Sequence, residues 1–258
     1  YGADGFTVGS SSNVNGSSRT FVAWNWKAGG TPSGDNSAAN DAGPTAGSAK
    51  IDGSNQSGAF SGSPSIAIKR LSASTTAGFS IVQWTGTGSA GTIPHGLGVA
   101  PEFIIVKNLD DDTKNWNVYP TLLGNNYLEL NATGSTFSGS TYFNNTAPTA
   151  NVFSVGTAGS TNNSSDDFIA YLFTSIQGYS NIGSYKGTNA NNPNGAFVYT
   201  GFRPALVMVK ASGTTGSWIV ADNKRASAFN GAVARLLWND SAAELDYVLN
   251  RHIDLYSN

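Results

Sequence analysis

A chain of 258 residues with 14 basic and 16 acidic side chains carries a formal charge of −2, which gives nucleic acid or an anionic membrane surface no electrostatic reason to bind. No apolar run approaches the roughly 18 residues that a membrane-spanning helix needs, so membrane insertion is not expected. The absence of Cys removes disulfides, thiolate metal sites and cysteine nucleophiles together. Gly, Ser, Thr, Asn and Ala are abundant, and this composition favours short strands joined by tight turns over helices, so the expected fold class is all-β. Beginning at Tyr1 without Met, the chain is expected to be a processed product or a piece of a longer one.

In chain order, residues 6–9 (Phe-Thr-Val-Gly) and 21–26 (Phe-Val-Ala-Trp-Asn-Trp) read as two strands around an Asn/Ser/Gly loop, with Val22, Trp24 and Trp26 on one face. From Ala28 to about Pro64 there is scarcely an apolar anchor. That stretch reads as a linker or surface excursion with little share in the core. Residues 65–72 suggest one edge strand. Strands are then expected at 79–84, 103–107, 116–119, 127–130, 152–155 and 168–173, and again at 197–199, 206–210, 218–221 and 235–238.

These segments are related to one another. Gly98, Pro101 and Lys107 recur as Gly201, Pro204 and Lys210, each 103 residues on, and Trp116 recurs as Trp218 at 102. Gln83-Trp84-Thr85-Gly86 has a counterpart ending in Tyr185-Lys186-Gly187. Phe153-Ser154-Val155-Gly156 and Phe168-Ile169-Ala170-Tyr171 match Phe6-Thr7-Val8-Gly9 and Phe21-Val22-Ala23-Trp24, both at 147. An internal duplication follows. One whole unit is accompanied by the front of a second at the C-terminal end and the back of a unit at the N-terminal end. Pro101 and Pro204 are expected to begin equivalent central strands.

The phrases Thr75-Thr76-Ala77-Gly78-Phe79-Ser80-Ile81-Val82, His95-Gly96-Leu97-Gly98-Val99-Ala100-Pro101, Phe197-Val198-Tyr199-Thr200-Gly201-Phe202-Arg203-Pro204-Ala205 and Phe21-Val22-Ala23-Trp24 resemble an uncharacterised repeat domain of bacteriophage structural proteins, especially those of aquatic phages. The resemblance covers about 1–27 and 75–258. It implies a large virion or tail-fibre-like chain, and it brings no catalytic residues with it.

Sites for chemistry are sparse. His95 and His252 are the only histidines and fall in different units, which suits a locally bonded turn residue at His95 better than a ligand pair. Asp110-Asp111-Asp112 lacks the Gly and Glu positions of an EF-hand loop and reads as a hairpin tip. No phosphate loop, nucleophile elbow or zinc-helix motif is present. Trp116 and Trp218 share a repeat position and read as core, while Trp26 and Trp238 stay open between core and sugar platform.

The expectation is an all-β protein of two repeated β-sandwich units, jelly-roll-like or immunoglobulin-like, with the second completed by N-terminal strands from the same or a neighbouring chain. Its parts are an N-terminal strand pair (1–27), a Gly/Ser/Ala/Asn-rich linker or insert (28–75), a complete repeat (76–177) and an incomplete repeat (178–258). The expected role is a non-enzymatic structural subunit of a phage appendage or other extracellular fibre, without cofactor or metal. It would assemble head-to-tail through Phe6, Val8, Phe21, Val22, Trp24 and Trp26. One alternative is a host-recognition module that binds a surface glycan, with Trp238 as a contact; the other is a glycosidase, which needs two carboxylates about 5 to 10 Å apart.

Overall fold

Apolar residues alternating with period two, broken by Gly and Asn turns, form strands through most of the chain. The computed structural model describes residues 5–39, 42–190, 194–225, 231–232, 235–241 and 253–256, and the protein is all-β. The first strands are β1 (Ala49–Ile51), β2 (Ser54–Asn55), β3 (Ile68–Ser74), β4 (Phe79–Thr85) and β5 (Gly91–Pro94). Then come β6 (Phe103–Asn108), β7 (Asn117–Pro120), β8 (Asn126–Glu129), β9 (Phe137–Ser138), β10 (Val152–Val155) and β11 (Asp167–Phe173). The last are β12 (Leu206–Val209), β13 (Ile219–Asp222), β14 (Gly231–Ala232), β15 (Arg235–Leu237) and β16 (Ile253–Asp254). The α-helices among the described residues are single turns at Ser12–Asn15, Ser140–Phe143 and Gly159–Asn162.

Nine strands make one sheet in the order β2-β1-β3-β4-β11-β6-β7-β8-β9, antiparallel except for the parallel β1–β3 pair. β11 is its spine. It pairs with β4 from Asp167↔Thr85 to Phe173↔Phe79 and with β6 from Phe168↔Asn108 to Phe173↔Phe103. Alternation then separates two cores. Phe168, Ala170 and Leu172 are wholly buried on the face closed by Ile93, Phe153 and Val155 of the β5–β10 ribbon. Tyr171 and Phe173 look the other way, into a cluster with Ile105, Val118 and Leu128 that Trp218 and Met208 cover. Each such apolar side chain contributes roughly 1.5–3 kcal/mol by leaving water.

β12, β13 and β15 form a separate three-stranded sheet. Its pairings Leu206↔Asp222, Met208↔Val220 and Val220↔Leu236 have the register of Phe103↔Pro120, Ile105↔Val118 and Val118↔Leu128 in β6, β7 and β8. The flanking bonds recur too. The Trp116 N–H donates to Asn131 Oδ1 at 3.0 Å, and the Trp218 N–H to Asn239 Oδ1 at 2.7 Å.

Several expectations need correction. Residues 6–9 and 21–26 are not strands: among the described residues no other segment hydrogen-bonds to their backbone as a ladder, and alternation without a partner makes no sheet. Residues 197–199 are likewise unpaired. Residues 28–64 do reach the core. Ala49 is wholly buried, β1 lies against β3, and Asn36 ties the excursion together by donating to Ile68 O at 3.0 Å and accepting from the N–H groups of Ala38 and Thr45. Backbone and amide hydrogen bonds order much of it, and its few apolar side chains, Ala49, Ile51 and Phe60, pack on the core, so apolar content misjudged it. β3, expected at an edge over 65–72, is therefore interior. Finally, Pro101 and Pro204 each stand two residues ahead of equivalent strands, β6 and β12, but β12 is an edge strand of its sheet rather than a central one.

Candidate functional site

Where β4, β10 and β11 converge, Trp84, Phe153 and Phe168 form an aromatic triad. Trp84 stacks on Phe168 with centroids 5.4 Å apart and meets Phe153 edge-on at 5.8 Å. Their exposures are 0%, 1% and 0%. The counterparts of these residues by sequence offset are Tyr185, Phe6 and Phe21, and they are 53%, 63% and 47% exposed. A triad closed in one place is open in the other.

The open half consists of two surfaces. On the first, β12 bonds to β13 along one edge and carries no strand on the other among the described residues. Leu206, Val207, Met208 and Val209 are all only half-buried, whereas Ile104, Ile105 and Val106 of β6 are buried. In the stretch ahead of β12, Tyr185, Phe197, Val198 and Tyr199 are exposed.

The second surface is the N-terminal segment. It carries a helical turn, where Ser11 Oγ accepts from the Asn13 N–H at 3.3 Å. Gly29 pins its far end: the Gly53 N–H donates to Gly29 O at 2.9 Å, and a Cβ on Gly29 would lie 2.1 Å from Ala73 O. Along the segment, Val22 and Trp24 are half-buried, while Phe6, Val8 and Phe21 are exposed. Trp26 packs on Phe79 and Phe173 at centroid distances of 6.4 and 5.9 Å. Trp24 lies 6.3 Å from Trp238, with the Arg225 guanidinium 5.7 Å from its ring centroid. Its indole N–H is buried without an acceptor.

Arg225 is held by Asp222, its Nε donating to Oδ2 at 2.6 Å. Burial works against the charged form of Asp222, yet Arg225 and the Lys224 and Arg225 amides together hold its carboxyl below the usual range. Trp238, the expected glycan contact, is 40% exposed and has Trp24 against it. The six expected assembly residues thus divide: Trp24 and Trp26 lie on the body of the protein, Val22 is half-buried, and Phe6, Val8 and Phe21 face solvent. Reading single residues missed Tyr185, and its signal was its correspondence to Trp84 by sequence offset.

Residues with reactive side chains are occupied structurally. His95 is wholly buried: Nε2 bonds Thr149 O at 3.1 Å, Nδ1 accepts the Leu97 N–H at 3.2 Å, and burial lowers its pKa to about 4 despite the Thr149 bond. Asp111 caps Thr113, and the Asp110 and Asp111 amides donate to Asn108 Oδ1. Among the described residues no three His, Asp or Glu side chains gather as a metal site. A groove of about 420 Å³ beside Arg70, Ile81 and Gln83 has no carboxylate in its lining. His252 lies outside the described residues.

The profile of one protein family, described as domain of unknown function DUF7483, matches residues 45–258. No curated protein and no solved structure gives a match. The matched region takes in β1 and β2 as well as both larger sheets, and leaves the N-terminal segment outside. The chain belongs to the DUF7483 family.

Proposed function

We propose that this protein is a non-enzymatic structural subunit of a phage appendage or another extracellular fibre, and that it assembles head-to-tail by exchange of its N-terminal segment. In this reading the chain carries two copies of one β-sandwich unit. The equal registers of β6-β7-β8 and β12-β13-β15 support the duplication. The resemblance of 1–27 and 75–258 to phage structural repeats supports the virion or fibre setting.

One observation carries the assembly: the residues equivalent to a closed aromatic triad are all exposed within a single chain. Strand addition at an open sheet edge satisfies both halves at once. Because the giving and receiving surfaces differ, the contact is heterologous and propagates rather than closing as a two-fold dimer. Sedimentation velocity over rising protein concentration tests it. Mass should grow with concentration, and excess peptide of residues 1–27 should shorten the assemblies by capping the open edge. A monomer at every concentration contradicts the proposal.

A second reading has its own support. Exposed Tyr185, Phe197, Tyr199 and Trp238 are side chains suited to stacking on sugar rings. Binding on a glycan array that survives in assembled material would favour it, since assembly by strand exchange buries Tyr185.

A further inference from the structure

We infer that Phe6 and Phe21 of one copy close on Tyr185 of the next, rebuilding there the triad that Trp84, Phe153 and Phe168 make within the chain. This rests on the strand-exchange reading above and adds its register. In the complete arrangement β11 lies between β4 and β6, with Phe168 opposite Trp84 and Tyr171 opposite Ile105. Carrying those pairs through the repeat places Phe21 opposite Tyr185 and Trp24 opposite Met208. The β10–β5 pair Phe153↔Ile93 places Phe6 opposite Ala196 in the same way. A slip of one residue would turn Phe21 and Ala23 to the wrong face, so the register is the part of the interface that apolar burial enforces.

The chemistry of the two surfaces agrees with that seating. Phe21 and Ala23 stand where Phe168 and Ala170 are wholly buried, and both are exposed here. Tyr185 offers Phe21 a flat aromatic partner, as Trp84 offers Phe168 at an interplanar angle of 16°. The segment is held to its own body through side chains, with Trp24 against Trp238 and Trp26 against Phe79 and Phe173. Residues 20–26 give up no backbone hydrogen bond to another segment, and the Trp24 indole N–H has no acceptor to lose. Gly29, pinned between Lys50 O and Ala73 O, fixes the point at which the segment joins the body. A second copy is therefore the occupant: within one chain Phe6, Phe21 and Tyr185 are exposed together.

The chain has no Cys, so two introduced thiols report the contact without background. Full-length Phe21→Cys and Tyr185→Cys chains, mixed and oxidised, should give a reducible band at twice the chain mass that neither gives alone. The double variant should give a ladder. Both positions are exposed, and a far-UV spectrum matching the parent checks the fold. If the double variant links only within itself and the mixture gives no band, the occupant is the chain's own segment and the inference is overturned. If Phe21→Cys links instead to Ser184→Cys or Lys186→Cys, or to none of the three while the chains still assemble, strand exchange survives and the register fails. If chains of residues 28–258 assemble as well as the full chain, the strand-exchange reading itself fails.

Discussion

Trp84 and Tyr185 correspond by sequence offset and face opposite surroundings, so the same truncation should act differently at each. Trp84 lies wholly buried between Phe153 and Phe168, and Trp84→Ala should cost about 3–5 kcal/mol of stability, as large core truncations do. Tyr185→Ala should leave the denaturant midpoint of the dilute monomer nearly unchanged and abolish growth in mass, because its side chain gains neighbours only in the assembly. A large loss of monomer stability at Tyr185 would mean that its site is already filled within the chain. His95 makes a second residue-scale prediction. The ring is held neutral in the fold at a pKa of about 4, against 6.5 for the free side chain. Above pH 6.5 both folded and unfolded chains carry a neutral ring. As pH falls from 6.5 through 4 the unfolded chain takes up the proton first, so stability is lost, by about 3 kcal/mol in all at 1.36 kcal/mol for each pKa unit. Denaturant midpoints between pH 7 and 4 should show this fall, and His95→Gln should flatten it. An unchanged slope in that variant would assign the pH dependence to other groups.

At the level of elements, the short β5 was not expected, but β4, β6, β7, β8, β10 and β11 were legible because each joins alternating apolar residues to Gly or Asn turns. Their residues also reappear at fixed offsets, which identified β12 and β13. Less legible was the edge formed by β1 and β2. Gly29, Gly43 and Gly47 approach other parts of the chain so closely that a Cβ would lie about 2 Å from backbone or side-chain oxygen, and such positions look the same in sequence as flexible ones. Gly29→Ala should accordingly destabilise by about 1–3 kcal/mol, the usual cost of forced overpacking, although nothing apolar is lost. A neutral result from calorimetry would mean that the edge adjusts freely and that the stretch is as loose as its composition suggests. Alternation also marked 6–9 and 21–26 as strands, and among the described residues neither is paired. It could not say whether they find a ladder partner, because pairing is a property of what lies beside a strand. The candidate site was legible in the same partial way: Phe6, Phe21 and Trp24 follow from the repeat, and Tyr185 emerges only when the buried triad shows what its position is for.

For the whole molecule, two arrangements use the same contacts. Folding the N-terminal segment back gives a closed monomer, and passing it onward gives a fibre. Phe6, Phe21 and Tyr185 are each exposed in the described chain, and exposed aromatics together with an edge of β12 that carries no strand among the described residues favour association with another copy. Trp24→Ala should then impair assembly while the nine-stranded sheet, none of whose strands includes Trp24, stays folded. Negative-stain microscopy of the full chain beside residues 28–258, at matched concentration, tests the account most directly. The account predicts filaments from the full chain and isolated globules from the truncated one. Filaments from both, or globules from both, would contradict it.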